Sequence, residues 1–273
     1  MSDNAHQPHQ REALCIDTNK AHTARVWNYW LGGKDNYPVD RELGDQIRDI
    51  LPDIVDAARA QREFLVRVVR YLVAEVGIRQ FLDIGTGLPT ANNTHEVAQA
   101  TARECRVVYV DNDPLIMAHA RALLTSTPEG TTAYIDADLR DPTTVLREAA
   151  QTLDFTRPIA LMLLATVEHI TDTNEAHAIV NELVAGIPSG SYLVLCDPST
   201  EVRREMMLEA VRQWNESATP RITARSRQEL IRFFDHLELL EPGVVSASLW
   251  RPEPSELGTP VEVFSFGGVG RKP

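Results

Sequence analysis

Between residues 80 and 196 the chain repeats one rhythm: a short run of consecutive apolar residues, then a stretch with helical spacing. The runs are Gln80–Ile84, Val107–Val110, Thr132–Ile135, Ile159–Leu164 and Tyr192–Cys196. Strands apolar at every position must be covered on both faces, as in a buried parallel sheet. The stretches between them, 94–104, 114–124, 142–150 and 175–186, have the spacing of crossover helices. Strand and helix alternating in this way predict a doubly wound α/β sheet built through right-handed crossovers. The end of the chain departs from the rhythm. A helix-like segment, Ser226–Phe234, precedes two strand-like runs, Leu237–Trp250 and Val261–Phe266. Their linker, Arg251–Pro260, holds three prolines and is too short for a crossover helix, so the two runs are expected to pair as an antiparallel hairpin.

Ahead of the sheet, residues 1–20 read as a flexible arm, in which His6 and His9 are solvated. Residues 21–76 read as a helical extension that packs on the sheet domain, 77–273, to form one compact unit. Thr23–Leu31 is a short helix ended by Gly32-Gly33, and a second pattern runs from Val39 to Leu51. From Val55 to Val76 apolar residues recur at three- and four-residue steps, the mark of an amphipathic helix.

Charge narrows the partners. The 273 residues carry 27 Lys+Arg against 39 Asp+Glu, a formal charge of −12. Phosphate affinity rests on Lys and Arg, so this balance disfavours nucleic acid and anionic membrane surfaces. The three cysteines, Cys15, Cys105 and Cys196, match no zinc spacing, and no metal site is expected. Their sparse, odd number fits a reducing compartment. The polar N-terminus has no signal-peptide stretch, and no apolar run reaches the ~20 residues a membrane helix needs. The expectation is a cytoplasmic protein.

The chemistry gathers at strand ends. Phe81-Leu82-Asp83-Ile84-Gly85-Thr86-Gly87 is a buried strand opening into a glycine turn, where the backbone can approach a ligand closely. A dinucleotide site needs a third glycine, yet Thr90 stands there. Asp83, just before the turn, repels a pyrophosphate and welcomes a cation. The next strand ends at Asp111-Asn112, and an acid at that tip can accept both hydroxyls of a ribose. A third acidic turn, Asp136-Ala-Asp138-Leu139, can accept an adenine amine while a backbone N–H donates to the ring. Taken singly, such aspartates are more often turn and cap residues. Together with the Gly85-Thr86-Gly87 turn they describe a site for a positively charged nucleoside without phosphate, S-adenosylmethionine rather than NAD.

Ala24–Tyr37, Val110–Arg121 and Asp136–Pro142 resemble one group in particular, the S-adenosyl methyltransferase family of actinobacteria, formerly a domain of unknown function. That family lies within the class I S-adenosylmethionine-dependent methyltransferases. The resemblance spans roughly residues 20–272 and implies a Rossmann-like, seven-stranded, mostly parallel sheet with an antiparallel last strand. It also implies that Asp83, Gly85, Gly87, Asp111, Asp138 and Leu139 line the cofactor site. Where relatives carry Leu-His after the fourth strand, this chain reads Thr166-Val167-Glu168-His169. Where a Ser-His pair is common after the fifth, it reads Cys196-Asp197.

The resulting expectation is methyl transfer to an unidentified small-molecule acceptor, leaving S-adenosylhomocysteine. A non-catalytic sensor of these two ligands is the alternative. Candidate proton acceptors are His169, Glu168 and Asp197 at strand tips, with Tyr29, Asp35 and Tyr37 from the N-terminal segment. For His169, a structural role satisfying a neighbouring carboxylate or backbone group ranks slightly ahead of catalysis. The aromatic-rich 27–37 segment is expected to form a lid, with Asn36 or Asp35 near the sulfonium; plain packing of its aromatics on the sheet domain is the competing account. Seven arginines against four glutamates between Arg203 and Arg232 are explained at least as well by a solvated helix face as by an acidic acceptor.

Overall fold

The computed structural model describes residues 17–123, 125–253 and 260–273. Cys15, the first sixteen residues of the expected arm and residues 254–259 of the linker lie outside the described residues. All five expected parallel strands form: β1 Gln80–Ile84, β2 Arg106–Asp111, β3 Thr131–Asp136, β4 Ala160–Leu164 and β5 Tyr192–Pro198. With Glu238–Leu239 (β6) and Ser265–Arg271 (β7), the sheet order is β3-β2-β1-β4-β5-β7-β6. Only β7 runs antiparallel to its neighbours, and Val245–Ser246 adds an eighth short strand against it.

Successive strand residues feed two different cores, which is why the runs are apolar throughout rather than alternating. Phe81, Val107, Met162 and Val194 pack on one face, while Leu82, Val108, Leu161 and Leu193 pack on the other. The first face is covered by α1 (Thr23–Trp30), α2 (Pro38–Ile50), α3 (Ile54–Tyr71), α4 (Thr94–Thr101) and α8 (Arg204–Ser217). The second is covered by α6 (Pro142–Ala149) and α7 (Thr173–Gly186), while α5 (Pro114–Leu123) lies beside β2 and β3. Each fully buried large aliphatic or Phe side chain contributes about 1.5–3 kcal/mol of transfer free energy. The amphipathic helix expected from Val55 to Val76 is α3, finished by one wider π-helical turn, Leu72–Val76.

The N-terminal helices are tied down by one buried ion pair. Arg25 Nε donates to Asp40 Oδ2 at 2.8 Å, with both side chains at most 4% exposed. Asp40 also accepts the His22 and Tyr37 amides, so it closes the α1–α2 hairpin and caps α2.

Of the hairpin expected between Leu237–Trp250 and Val261–Phe266, the antiparallel pairing forms only at Glu238–Leu239 and Val245–Ser246, both against β7. The long antiparallel strand is β7, paired over its whole length with β5, from Ser265 opposite Pro198 to Arg271 opposite Tyr192. Residues 237–250 supply only β6, Val245–Ser246 and a short 3-10 turn, Ala247–Leu249. Pro242-Gly243 interrupts the run, and the strand proper lies in Phe266-Gly-Gly-Val-Gly270. Those glycines depress strand propensity, but the packing requires them. A Cβ on Gly267 would stand 3.0 Å from Phe64 Cζ and from Cys196 Cβ, and one on Gly270 2.7 Å from Phe234 Cδ1.

α8 carries the expected solvated charges, with Arg212 bridging Glu209 and Glu216, while its other face buries Met207, Ala210 and Trp214. Among the described residues no helix is long and apolar enough to cross a membrane.

Candidate functional site

The strand order reverses between β1 and β4, and a crevice opens there at the carboxyl ends of the strands. It is a cavity of about 380 Å³, within the range of small-molecule sites. Its floor is the turn after β1. Gly85 (φ 74°) and Gly87 (φ 64°) both take the left-handed conformation that glycine adopts without strain. The Gly85 amide donates to the Val110 carbonyl at 2.8 Å, and Thr166 Oγ1 donates to the Ile84 carbonyl at 2.9 Å. A Cβ on Gly85 would come within 2.3 Å of that Thr166 hydroxyl oxygen, so the contact between the β1 and β4 ends depends on glycine.

All three expected acidic tips reach this cavity. Asp83 lies behind the turn, 6% exposed, and accepts the Thr94 hydroxyl at 2.6 Å. Burial pushes its carboxyl up to about 6, against the pull of Thr94 and Arg62. Asp111 Oδ2 accepts the Gly87 amide at 3.2 Å, and its Oδ1 accepts the Asp113 amide. Burial raises this carboxyl also to about 6, with those amides opposing. Asp138 accepts the Asn112 side-chain amide and the Arg140 backbone amide. Thr86, Asn112 and Leu139 complete the wall.

His169 is on the wall as well. Its Nδ1 lies 3.2 Å from the Arg221 carbonyl, which can only accept, so Nδ1 carries the hydrogen and Nε2 keeps a lone pair. Burial lowers its pKa to about 4, and the ring is neutral at pH 7.

Six expected residues, Tyr29, Asp35, Asn36, Tyr37, Glu168 and Asp197, stand off the wall of this cavity. Tyr29 Oη donates to Asp45 Oδ1 at 2.8 Å, a contact on the outer side of the α1–α2 hairpin. Asp35 is exposed and only its backbone is tied to the protein's own frame, as is the Asn36 side chain: the Asp35 amide and Asn36 Nδ2 each donate to Asn28 Oδ1 at 2.9 Å. It is Asn28, together with Trp27 and Leu31, that α1 presents to the cavity. Glu168 is buried behind His169, its Oε1 3.9 Å from His169 Nε2, and lines a smaller adjoining chamber. Asp197 sits beside it, 3.7 Å from Arg225 Nη1, with burial raising its carboxyl to about 7.

Sequence reasoning passed over Arg62 and Gln61. Both lie on α3 and both line the cavity. Arg62 Nη2 donates to the Ala91 and Asn92 carbonyls, while its Nε is buried with no partner among the described residues. The signal was present, since Gln61 and Arg62 fall at stripe positions between Ala58 and Leu65, where the helix otherwise turns apolar residues inward.

A family model described as S-adenosyl methyltransferase matches residues 9–273. Among solved structures, a DUF574 family protein from Streptomyces avermitilis MA-4680 superposes with a TM-score of 0.89 at 43% identity, covering 94% of this chain and 99% of its own. A candidate methyltransferase from Thermobifida fusca YX superposes with a TM-score of 0.85 at 39% identity, over 94% and 96% of the two chains. A SAM-dependent methyltransferase from Anabaena variabilis ATCC 29413 shares the fold at a TM-score of 0.50 and 14% identity, over 80% and 94%. No curated protein matches the chain.

Proposed function

The chain belongs to the S-adenosyl methyltransferase family, and from that premise we propose that it transfers the methyl group of S-adenosylmethionine to a small-molecule acceptor. The observation that carries this reading is the convergence of Asp83, Asp111 and Asp138 with the Gly85–Gly87 turn on one cavity. Bound there, the cofactor supplies an electrophilic methyl carbon attached to a sulfonium.

The residues fit such a ligand. A Cβ on Gly87 would meet nothing within 4 Å, so glycine leaves that stretch of floor open for close backbone approach. Three Asp against two Arg, Arg62 and Arg140, give the wall a formal charge of −1, the complement of a ligand with net charge +1. The unpartnered Arg62 Nε beside Asp83 offers a cation and an anion together, the pair an amino-acid tail calls for. Asp111 holds the ribose hydroxyls in this reading. Asp138 and the Leu139 amide meet the adenine edge, against the apolar side chains of Leu88 and Ile116.

Methyl transfer is an in-line displacement, and fixing nucleophile and methyl in line supplies roughly 7–11 kcal/mol of the barrier. Where the acceptor must lose a proton, neutral His169 can take it at Nε2. α1 covers the cavity as a lid, with Trp27, Asn28 and Leu31 as its inner surface.

Calorimetry with S-adenosylmethionine, S-adenosylhomocysteine and NAD tests the reading. The first two are expected to bind one per chain and NAD not at all; binding of NAD alone would overturn it. Radiolabelled methyl transfer into fractionated cell extract then tests turnover.

A further inference from the structure

A second chamber of about 50 Å³ adjoins the main cavity, and Trp27, Gln61 and Ala165 line both. Ala165 follows β4 in the left-handed conformation (φ 53°), an uncommon state for a residue with a Cβ, and its side chain adds no more than a methyl group to the junction. Further in, the wall is largely apolar and aromatic, with Trp30, Trp214 and Phe264. The indole N–H of Trp30 is spent on the Gly44 carbonyl at 3.1 Å, and that of Trp214 on the Pro220 carbonyl at 3.0 Å. What those two residues leave for the chamber is ring surface.

Into this apolar lining projects one carboxyl group, that of Glu168, 4% exposed. Among the described residues it makes no hydrogen bond. The nearby cation, Arg225, acts on Glu168 only at a distance: it donates to the Val167 and Ile170 carbonyls and faces Asp197 at 3.7 Å. The other neighbour, His169, is neutral. Buried carboxylates are ordinarily paired or hydrogen-bonded, so Glu168 is a demand the protein itself does not meet.

We propose that this chamber is the acceptor subsite and that it takes the head of a small organic amine, held by the Glu168 carboxylate and the faces of Trp27, Trp30 and Trp214. Cations bind over indole faces, most strongly where water is excluded. Gln61 donates its Nε2 to the Cys196 carbonyl at 3.3 Å, which leaves its Oε1 to accept an amine N–H at the junction. The volume admits a headgroup of a few non-hydrogen atoms, since one water needs about 10–15 Å³ on this measure. Rings and an acid suit a cation, whereas a carboxylate or phosphate acceptor would find no Lys or Arg on the chamber wall.

The inference rests on the methyl-transfer reading and extends it to the chemistry. The ammonium gives one proton to the Glu168 carboxylate. The freed nitrogen lone pair then forms the N–C bond as the C–S bond breaks, its electron pair going to sulfur as the neutral thioether. Burial and the neighbouring Asp197 raise the Glu168 carboxyl well above the usual range, which supplies the basicity this proton transfer needs.

The test uses the full chain saturated with S-adenosylhomocysteine and three probes of like shape: isobutylamine, isobutanol and isobutyrate. Calorimetry and tryptophan fluorescence are expected to show the amine binding at least tenfold more tightly than the alcohol, and the carboxylate not binding. Glu168→Gln is expected to reduce amine affinity at least tenfold while the S-adenosylhomocysteine affinity stays within twofold. Equal binding of amine and alcohol overturns the proposal, as does an amine affinity unmoved by Glu168→Gln. The probe series on the unaltered chain decides the matter even if that variant fails to fold. Failure of S-adenosylhomocysteine itself to bind refutes the cofactor reading instead, so the two failures are told apart.

Discussion

Gly33 lies where any side chain would collide with the Asn28 carboxamide: a Cβ there would stand 2.3 Å from Asn28 Nδ2. Asn28 is 4% exposed, borders the cavity, and holds the Asp35 amide and the Asn36 side chain on its Oδ1. The Gly-Gly-Lys-Asp-Asn loop is therefore a clamp closed around one buried amide. Gly33→Ala is expected to displace Asn28, costing about 1–3 kcal/mol of stability, the range for overpacking, and weakening S-adenosylmethionine binding. Gly32 (φ 79°) has nothing within 4 Å of a built Cβ, so Gly32→Ala carries about 1 kcal/mol of backbone strain and leaves the cavity alone. Urea denaturation and calorimetry on both variants check this. Equal loss of cofactor affinity in the two would remove the clamp from the account.

Asp111 gives a pH-dependent prediction. Its carboxyl titrates at about 6 in the folded chain against an ordinary 3.8, so the folded state holds the proton more tightly. That contributes stability below about pH 4 that is lost as pH rises through 6. A difference of about two units corresponds to about 3 kcal/mol. Without ligand, Asp111→Asn is expected to gain up to that amount relative to the unaltered chain between pH 4 and pH 7. The same variant is expected to bind S-adenosylmethionine roughly 10–100-fold more weakly, the worth of a charged hydrogen bond. A stability difference that stays flat from pH 4 to 7 would contradict the role of burial.

Arg62 is assigned to the carboxylate of the cofactor's amino-acid tail, and the ligand can be trimmed to test that. Arg62→Gln is expected to weaken S-adenosylmethionine about 10–100-fold, again the worth of a charged hydrogen bond. Methylthioadenosine, which lacks the amino-acid portion, is expected to bind variant and unaltered chain alike. If both ligands lose affinity equally, Arg62 acts through the Ala91–Asn92 loop that it also holds, and not on the tail.

Where local pattern and packing ask for the same residues, the fold is legible in the chain. The five parallel strands are apolar throughout because each feeds two cores, and their acidic tips stand out because nothing else in those runs is charged. The last strand was hidden because Gly267, Gly268 and Gly270 answer to Phe64 and Phe234, residues some 200 and 35 positions away. No window of sequence displays that relation. The same holds at the site. Asp83, Asp111 and Asp138 are positioned by their own strands and could be read directly. Asn28 in place of Asn36, and the seclusion of Glu168, depend on how α1 folds back over the sheet. Arg62 was visible as a polar break in an apolar stripe, but a stripe alone does not say which ligand the break faces.

The fold-back of α1 leads to the last prediction. Asp40 is fully buried and accepts three hydrogen bonds, from Arg25 Nε and from the His22 and Tyr37 amides. Arg25, 4% exposed, has no other anion within bonding reach among the described residues. Asp40→Asn would keep the shape but replace one acceptor by a donor and leave Arg25 buried without its counter-charge. Breaking one side of a buried pair costs about 3–5 kcal/mol, whereas replacing both partners by apolar groups is often neutral. Asp40→Asn is therefore expected to lose that amount in urea denaturation. Arg25→Met combined with Asp40→Leu is expected to cost less than the sum of those two changes made singly, a coupling that the cycle of the two single variants and the pair reads directly. Because His22, at the N-cap of α1, and Asn28, on α1, flank Arg25 and reach the cavity, the single variant should also lose cofactor affinity. An Asp40→Asn chain within 1 kcal/mol of the original would mean that apolar packing of Val26 and Trp30, and not the ion pair, seats α1 over the site.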